Sequence, residues 1–470
     1  MKHKTMLQGF EWYLAPEDKL WIKIKNNAKK YESMGITSIW LPPAYKGHRG
    51  CYDSGYGVYD LYDLGEFDQK GSVETKYGSR QEYLEAIQAL KDHNIAIYVD
   101  VVLNHRIGAD ELETVLVDEV NRDNRNEIIN ANKEIKAWTK FTYPNRNNKY
   151  STFKWDKSYF KAIDFDDNEH QNGIYLFKDR VWDEHVSHEY GNYDYLLGAD
   201  VYVLNPVVMD ELKHWLHWYY DTIQFDGVRL DAIKHIDALA TKEILESLRD
   251  RTHIKAVGEY WSGDIEELIH YHELTEGTMA LFDVPLHHKF HDISTGTSDD
   301  LSTLYHGTFT ERYPEYSVTF VDNHDTQIGQ SLESWVEPWF RNHANAFILL
   351  HENAYPCLFY TDMDNQFIQK MIAVRSQYEG SNFVDIHDKK HTRTFGYTDE
   401  NGYIVSMSIN GDNIESLYIG QNCSGTVYFS LEDTNDRIIV DENGYLNVPV
   451  KSKEVKVYIQ ERVHYDFSVL

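Results

Sequence analysis

Residues Pro16–Leu41, PEDKLWIKIKNNAKKYESMGITSIWL, set one helix ahead of one strand. Leu20, Ile24, Ala28 and Tyr31 fall on one stripe at helical spacing, with Pro16 near the start and Gly35 at the stop, so a helix is predicted over 16–35. Ser38–Leu41 follows as a short apolar run of the buried-strand type. Runs of the same kind recur at Thr5–Phe10, Ile95–Val102, Gly227–Ala232, Lys255–Tyr260, Ala280–Val284, Ser317–Val321 and Cys357–Tyr360, which makes eight predicted strands. Further helices fit Ser79–His93, Val208–Ile223, Ala238–Arg251, Ile265–Leu274, Trp335–His351 and Phe367–Tyr378. Buried strands alternating with helices at a repeat of about 30 residues are the pattern of βαβ units. Eight of them predict an α/β chain built as a (β/α)8 barrel, with a doubly wound open sheet as the structural alternative.

Residues 103–226 break this rhythm, because no βα loop of a compact domain is that long. An inserted domain is therefore expected over 104–205. The stretch is rich in Asn, Asp, Tyr and Trp and lacks sustained periodicity, so it reads as an irregular, β-containing excursion. It leaves from the C-terminal end of a strand, the end at which barrel active sites sit. From Asp385 the texture changes again: alternating runs such as Tyr403–Ile409 and Val455–Ile459 are separated by the turn signals Glu400-Asn401-Gly402 and Glu442-Asn443-Gly444. These signals predict a small antiparallel β-sandwich. The expected division is thus 1–103 and 206–384 for the barrel, 104–205 for the insertion and 385–470 for the C-terminal domain.

Composition narrows the function. The 470 residues carry 76 acidic against 46 basic side chains, a net charge of −30, which speaks against a phosphate-tracking interface and against adhesion to an anionic membrane. Neither nucleic acid nor membrane is expected as a partner, and the substrate is expected to be neutral or small. With 35 Tyr and 11 Trp, aromatics reach 14% of the chain, a supply suited to stacking on sugar faces, although large cores also consume aromatics. Three widely spaced cysteines, Cys51, Cys357 and Cys423, read as reduced thiols and not as a disulfide framework or zinc cluster. The opening MKHKTMLQGFEWYL lacks the apolar core of a signal peptide, from which a cytoplasmic location and an intracellular substrate are expected.

The residues that carry chemistry sit at the ends of predicted strands. In Phe225–His235, FDGVRLDAIKH, Arg229 and Asp231 are two apart on a strand and so share a face, while Val228 and Leu230 face the helices. A fixed guanidinium beside a carboxylate is expected to depress its pKa and keep it a competent nucleophile; the alternative is a structural ion pair inside a barrel. The next strand ends in Gly258-Glu259-Tyr260-Trp261, where flanking aromatics disfavour charge on Glu259 and mark it as a proton donor. Phe320-Val321-Asp322-Asn323-His324-Asp325 adds a third acid and a histidine at the same barrel mouth. Packing alone explains such a set poorly, because unpaired buried carboxylates are costly.

Through these residues the chain resembles the α-amylase family of glycoside hydrolases, family thirteen. The four signature regions of that family stand in order as Asp100-Val101-Val102-Leu103-Asn104-His105, Gly227–His235, Gly258-Glu259-Tyr260-Trp261 and Val321-Asp322-Asn323-His324-Asp325. Similarity extends to Pro42–Gly47, Gly55–Phe67 and Gly191–Leu196, stretches that resemble the bacterial liquefying members, up to about Tyr378. The resemblance implies retaining cleavage of internal α-1,4 bonds in starch, glycogen or maltodextrins by a monomer. It makes Asp231 the nucleophile, Glu259 the acid/base and Asp325 the group that grips hydroxyls of the distorted sugar. It gives His105 and His324 hydrogen bonds to the sugar, Arg229 the orientation of Asp231, Tyr56 a stacking face under the ring before the cleaved bond, and Lys234 and Trp261 contacts on the leaving-group side.

The resemblance also implies a structural calcium held by Asn104, Asp194, Asp200 and the main-chain oxygen of His235, all oxygen donors as a hard cation requires. The liquefying relatives hold further ions through additional aspartates. Here Asp183 persists, but Lys161, Tyr202 and Leu204 stand where carboxylates are expected, so a lysine ammonium in place of a cation and no more than one calcium are expected. Only Thr361–Gln366 separate the eighth strand from the last helix, a connection shorter than in those relatives, which implies a more open cleft. Three other readings compete: an exo-acting maltooligosaccharide-forming enzyme or transglycosylase with the same acids, an inactive glucan-binding protein on the same fold, and a metal-dependent sugar isomerase. Intact Asp231, Glu259 and Asp325 weigh against the second, and Arg229 beside Asp231 fits the third poorly.

Overall fold

The computed structural model of the chain describes residues 4–353, 355–461, 465 and 467. The expected domain ends at residues 1–3 and at 468–470 lie outside the described residues.

Eight parallel strands close into a barrel: β1 (Met6–Gln8), β2 (Ser38–Leu41), β3 (Ala96–Val101), β4 (Gly227–Leu230), β5 (Lys255–Gly258), β6 (Ala280–Phe282), β7 (Ser317–Phe320) and β8 (Tyr355–Leu358). Each pairs with its sequence neighbours and β8 returns to β1, with Met6 opposite Cys357. The open-sheet alternative is excluded by that closure. Every predicted strand is present: β2 keeps its predicted bounds, β8 lies two residues earlier than predicted, and the other six are shorter than their apolar runs, because barrel strands end where the chain turns into its loops. The run predicted to continue through Val284 stops at Phe282: Asp283 caps a helix over Val284–Thr295, its carboxylate accepting from the Leu286 amide. That helix was not predicted. The sequence VPLHHKFHDIST carries three histidines and an aspartate, which blur its apolar stripe.

The first helix also differs from its prediction. Pro16–Asp18 is a 3-10 turn, Lys19 breaks it in the left-handed region at φ 48°, and the α-helix runs Leu20–Met34 before stopping at Gly35. Trp335–His351 shortens to Pro338–Leu350, since Pro338 suits a first turn and not an interior. The last barrel helix is Gln366–Gln377, capped by Asn365.

After β3 the chain leaves the barrel. Its largest feature is an antiparallel sheet in the order 128–140, 111–120, 171–177, 162–166. This ladder is more regular than the irregular excursion expected. Register shifts along the long pair interrupt its alternation, and several of its apolar side chains, including Leu112, Leu116 and Trp138, face solvent, so period two is hard to see in the sequence. Ala199–Asp200 pairs with His105–Arg106 and draws the insertion back onto the barrel mouth.

A six-stranded antiparallel sheet begins at Phe383, slightly ahead of the expected boundary, and a two-stranded ribbon of Asn413–Tyr418 and Tyr445–Val450 covers its outer face. In the strand Tyr403–Ser408 the alternation separates two cores. Tyr403, Val405 and Met407 join the core shared with the barrel, while Ile404 joins Leu417, Leu446, Val448 and Tyr458 beneath the ribbon. No described helix is long and apolar enough to cross a membrane.

Candidate active site

Arg229 is the hub of the barrel mouth. It is fully buried on β4, its Nη1 lies 2.7 Å from Asp231 Oδ1 and 3.0 Å from Asp100 Oδ1, and its Nη2 lies 2.7 Å from Glu259 Oε2. The two-residue spacing read from the sequence puts Arg229 and Asp231 on one face, and parallel pairing of β4 with β5 brings Glu259 beside them. Glu259 N donates to Leu230 O at 3.0 Å, and Asp231 N donates to Val101 O at 3.0 Å. Ala232 then adopts φ 50°, a strained left-handed turn for a residue with a Cβ, and its amide donates to Glu259 Oε2 at 3.2 Å. The loop carrying the nucleophile candidate and the end of β5 are thus joined through main chain and side chain alike.

The charges divide the labour among the three acids. Burial pushes Asp231 up to about 6, with Arg229 pulling against it. This corrects the expectation that Arg229 holds the carboxyl below its ordinary value. Desolvation is the larger effect here, because all but about a tenth of the side chain is removed from water. Burial also raises Glu259, opposed by Arg229 and reinforced by the Asp231 charge. Asp325 is raised well above the ordinary carboxylate range by burial and by repulsion from Glu259. All three carboxyls are thus raised by burial, and Arg229 opposes that rise at each of them.

Around this triad the rings are ordered. His324 stacks on Tyr56 with centroids 4.9 Å apart and planes 12° from parallel, and Trp12 lies nearly parallel to both at 6.1 Å. Gln8 from β1 lies 3.1 Å from His324 Nδ1, and the other ring nitrogen lies 3.3 Å from Asp325 Oδ2. Tyr56 donates its hydroxyl to Asp100 at 2.7 Å. It is presented by Gly55, whose φ of 93° and lack of a Cβ let the chain pass Pro43. His105 is held by the chain: its Nε2 lies 2.8 Å from the Tyr56 carbonyl oxygen, and Asn104 lies against its Nδ1 at 3.4 Å. It braces Tyr56 from below.

Lys234 lies at the rim, donating to Glu189 Oε1 at 2.7 Å and to the Trp261 carbonyl at 2.9 Å. Trp261 is half-buried over His287, His288 and Phe320. Sequence reading passed over Gln8, Trp12, Asp100 and Trp40, whose indole nitrogen donates to Asp100 at 3.0 Å beneath Arg229, as site residues. A signal existed in the aromatic cluster FEWY behind the first strand, but only the closed barrel brings β1 beside β8 and so next to the loop of His324.

The residues expected to hold calcium stand on the segments where the insertion rejoins the barrel. Asp200 pairs with His105, Asn104 O accepts from Val201 N, and His235 Nδ1 donates to the Tyr193 carbonyl beside Asp194. Among the described residues no three His, Cys, Asp or Glu side chains form a ligand cluster; the expected set uses two carboxylates, one amide and one main-chain oxygen. Asp200 Oδ2 is buried without a hydrogen bond, so the donor set fits a hard cation. Lys161 reaches into the same place, its Nζ 2.5 Å from Asp194, 2.7 Å from Asp183 and 3.9 Å from Asp200.

Fold and site together are those of a barrel enzyme working with carboxyl groups at its C-terminal mouth. The family described as Alpha amylase, catalytic domain, matches residues 29–401. Over 97% of this chain and 87% of the relative, the sequence is 42% identical to the α-amylase of Geobacillus stearothermophilus. It is 38% identical to a protein of Escherichia coli named cytoplasmic alpha-amylase, over 98% of this chain and all of that one. It is 37% identical to the glucan 1,4-alpha-maltohexaosidase of a Bacillus species, over 97% and 92%. The crystal structure of an Anoxybacillus α-amylase superimposes with a TM-score of 0.64 at 18% identity, covering 98% of this chain and 97% of that one. This chain belongs to the α-amylase family of glycoside hydrolases.

Proposed function

We propose that this chain hydrolyses internal α-1,4-glucosidic bonds of starch, glycogen or maltodextrins with retention of configuration. The observation that carries the reading is the single guanidinium of Arg229 shared between Asp231 and Glu259 at the C-terminal mouth of the barrel. Asp231, ionised, attacks the anomeric carbon while Glu259 gives its proton to the departing glycosidic oxygen; the product is a glycosyl ester on Asp231. Glu259, now a base, takes a proton from water as that water attacks the same carbon, and Asp231 leaves. Two inversions give net retention. Asp325 grips sugar hydroxyls from across the site with His324, and Tyr56 supports the ring. Lys234 and Trp261 line the leaving-group side.

Asn104, Asp194, Asp200 and the His235 oxygen would hold one calcium, which when bound supplies positive charge between the insertion and the barrel. The division at 104–205 and 385 belongs to the same reading, as do a monomeric state and a cytoplasmic location. The last is supported by the name of the Escherichia coli relative.

The test is digestion of soluble starch and a defined maltooligosaccharide by wild type and Glu259→Gln, with product size and anomeric form followed by NMR. Mid-sized α-anomeric products, with turnover lowered about 10³-fold or more in the variant, are expected. Products released only from chain ends would replace the endo reading by the exo-acting one, and tight glucan binding without turnover would make the chain a binding protein.

A further inference from the structure

We infer that Lys161 is a built-in cation: its ammonium binds Asp183, Asp194 and Asp200 together in the place of metal ions, so the junction between insertion and barrel requires at most one divalent ion. Only the ion count rests on the calcium reading above; the role of Lys161 does not.

Four observations carry this. The side chain of Lys161 is 1% exposed, as are those of Asp194 and Asp200, so no water screens the cluster. The backbone of Lys161 is fixed from both sides, its amide donating to Asp200 O at 2.9 Å and its carbonyl accepting from Phe177 N at 2.8 Å, which delivers the ammonium to one place. Three carboxylates against one ammonium leave two formal negative charges. One divalent ion balances that remainder, and a second would overshoot it. Tyr202 and Leu204 supply no carboxylate for a second ion: Arg180 lies over the Tyr202 ring at 4.9 Å, and Leu204 points to solvent.

The cluster reaches the active site through one loop. Asp183 N donates to Asp194 Oδ2, the oxygen that also meets Lys161, and Asn192 closes the loop by donating to Asp183 O at 2.8 Å. The same loop receives His235 at Tyr193 O and gives Ser187 N to Lys234 O at 2.9 Å. Lys161 is therefore a positioning residue for the loop that follows Asp231. A buried carboxylate cluster deprived of its cation is strongly destabilising, because the negative charges are then left without a partner.

The experiment counts ions in dialysed protein by elemental analysis and follows thermal unfolding in chelator and in added calcium, for wild type, Lys161→Met and Lys161→Asp. Wild type is expected to hold no more than one ion per chain. Lys161→Met is expected to unfold roughly 10 °C lower in chelator and to recover much of that loss in calcium. Lys161→Asp is expected to hold at least one ion more than wild type. Two or more ions in wild type would overturn the inference, as would a Lys161→Met midpoint within about 1 °C of wild type in chelator. A wild type with no ion removes the calcium reading and leaves the inference standing on the Lys161→Met shift. Should Lys161→Asp not fold, the other two proteins decide.

Discussion

Arg229 is asked to do two things, neutralise and orient, and a lysine can do only the first. Its fork meets Asp231 through one nitrogen and Glu259 through the other, with Asp100 behind. Arg229→Lys keeps the charge and loses the fork. It is expected to lower kcat/KM by about 10²–10³-fold, as loss of a preorganised donor does; a loss under threefold would show that charge alone suffices. The second prediction concerns pH. The nucleophile must be deprotonated and burial sets Asp231 near 6, so kcat/KM is expected to rise with pH through about 6. A pH profile whose rising limb lies below 4 would mean that the guanidinium outweighs burial after all. At this scale the sequence showed which groups share a face, since strand geometry fixes that. It did not show the sign of the shift, because depth of burial is a property of the closed barrel.

Single elements were legible where their own residues define them, and obscured where partners elsewhere complete them. The helix Arg80–Asp92 carries its start within itself, Ser79 and Glu82 forming a reciprocal cap. Val284–Thr295 does not. Its cap Asp283 also accepts from Phe309 N at 3.2 Å and from Thr310 N at 2.8 Å, so one buried carboxylate anchors two helices and the end of β6. Asp283→Ala is expected to destabilise by about 3–5 kcal/mol, a lost cap plus orphaned amides, read as a shift in urea midpoint at unchanged slope. A change under about 1 kcal/mol would mean that water replaces the carboxylate. The connection from β8 is a 3-10 turn over Tyr360–Asp364, as short as its sequence spacing required. Asp362 in that turn and Asp322 after β7 both meet Arg341, which ties the two loops beside Asp325.

At the scale of the whole molecule, one apolar core runs from the barrel into the inner face of the C-terminal sheet. Phe347 of the helix Pro338–Leu350 meets Phe395 of the C-terminal sheet at 5.8 Å, Tyr403 donates its hydroxyl to Leu350 O at 2.9 Å, and Arg393 donates to Leu301 O at 3.1 Å. Barrel and C-terminal sheet should therefore unfold together. Calorimetry is expected to show them in one transition, and a chain ending after Gln377 is expected not to fold to a native state, because the barrel face that it strips is apolar. An active, cooperatively folded truncation would refute this. The sequence announced the C-terminal sheet by alternation and turn signals, but not that it is covered on both faces.

By itself the sequence determined the features that near neighbours and fixed spacing set: the order of eight strands and most of their helices, the long interruption after the third strand, the pairing of Arg229 with Asp231, and the three acids at strand ends. Each depends on periodicity or on the two-residue pleat, which any window of the chain contains. Only the tertiary structure decided that β1 meets β8, that His105 braces Tyr56, that burial outweighs Arg229 at Asp231, and that Lys161 lies among three aspartates from other segments. Those are encounters between residues far apart in the chain, and both their distances and the exclusion of water that sets their energies exist only once the barrel has closed and the insertion has folded back upon it.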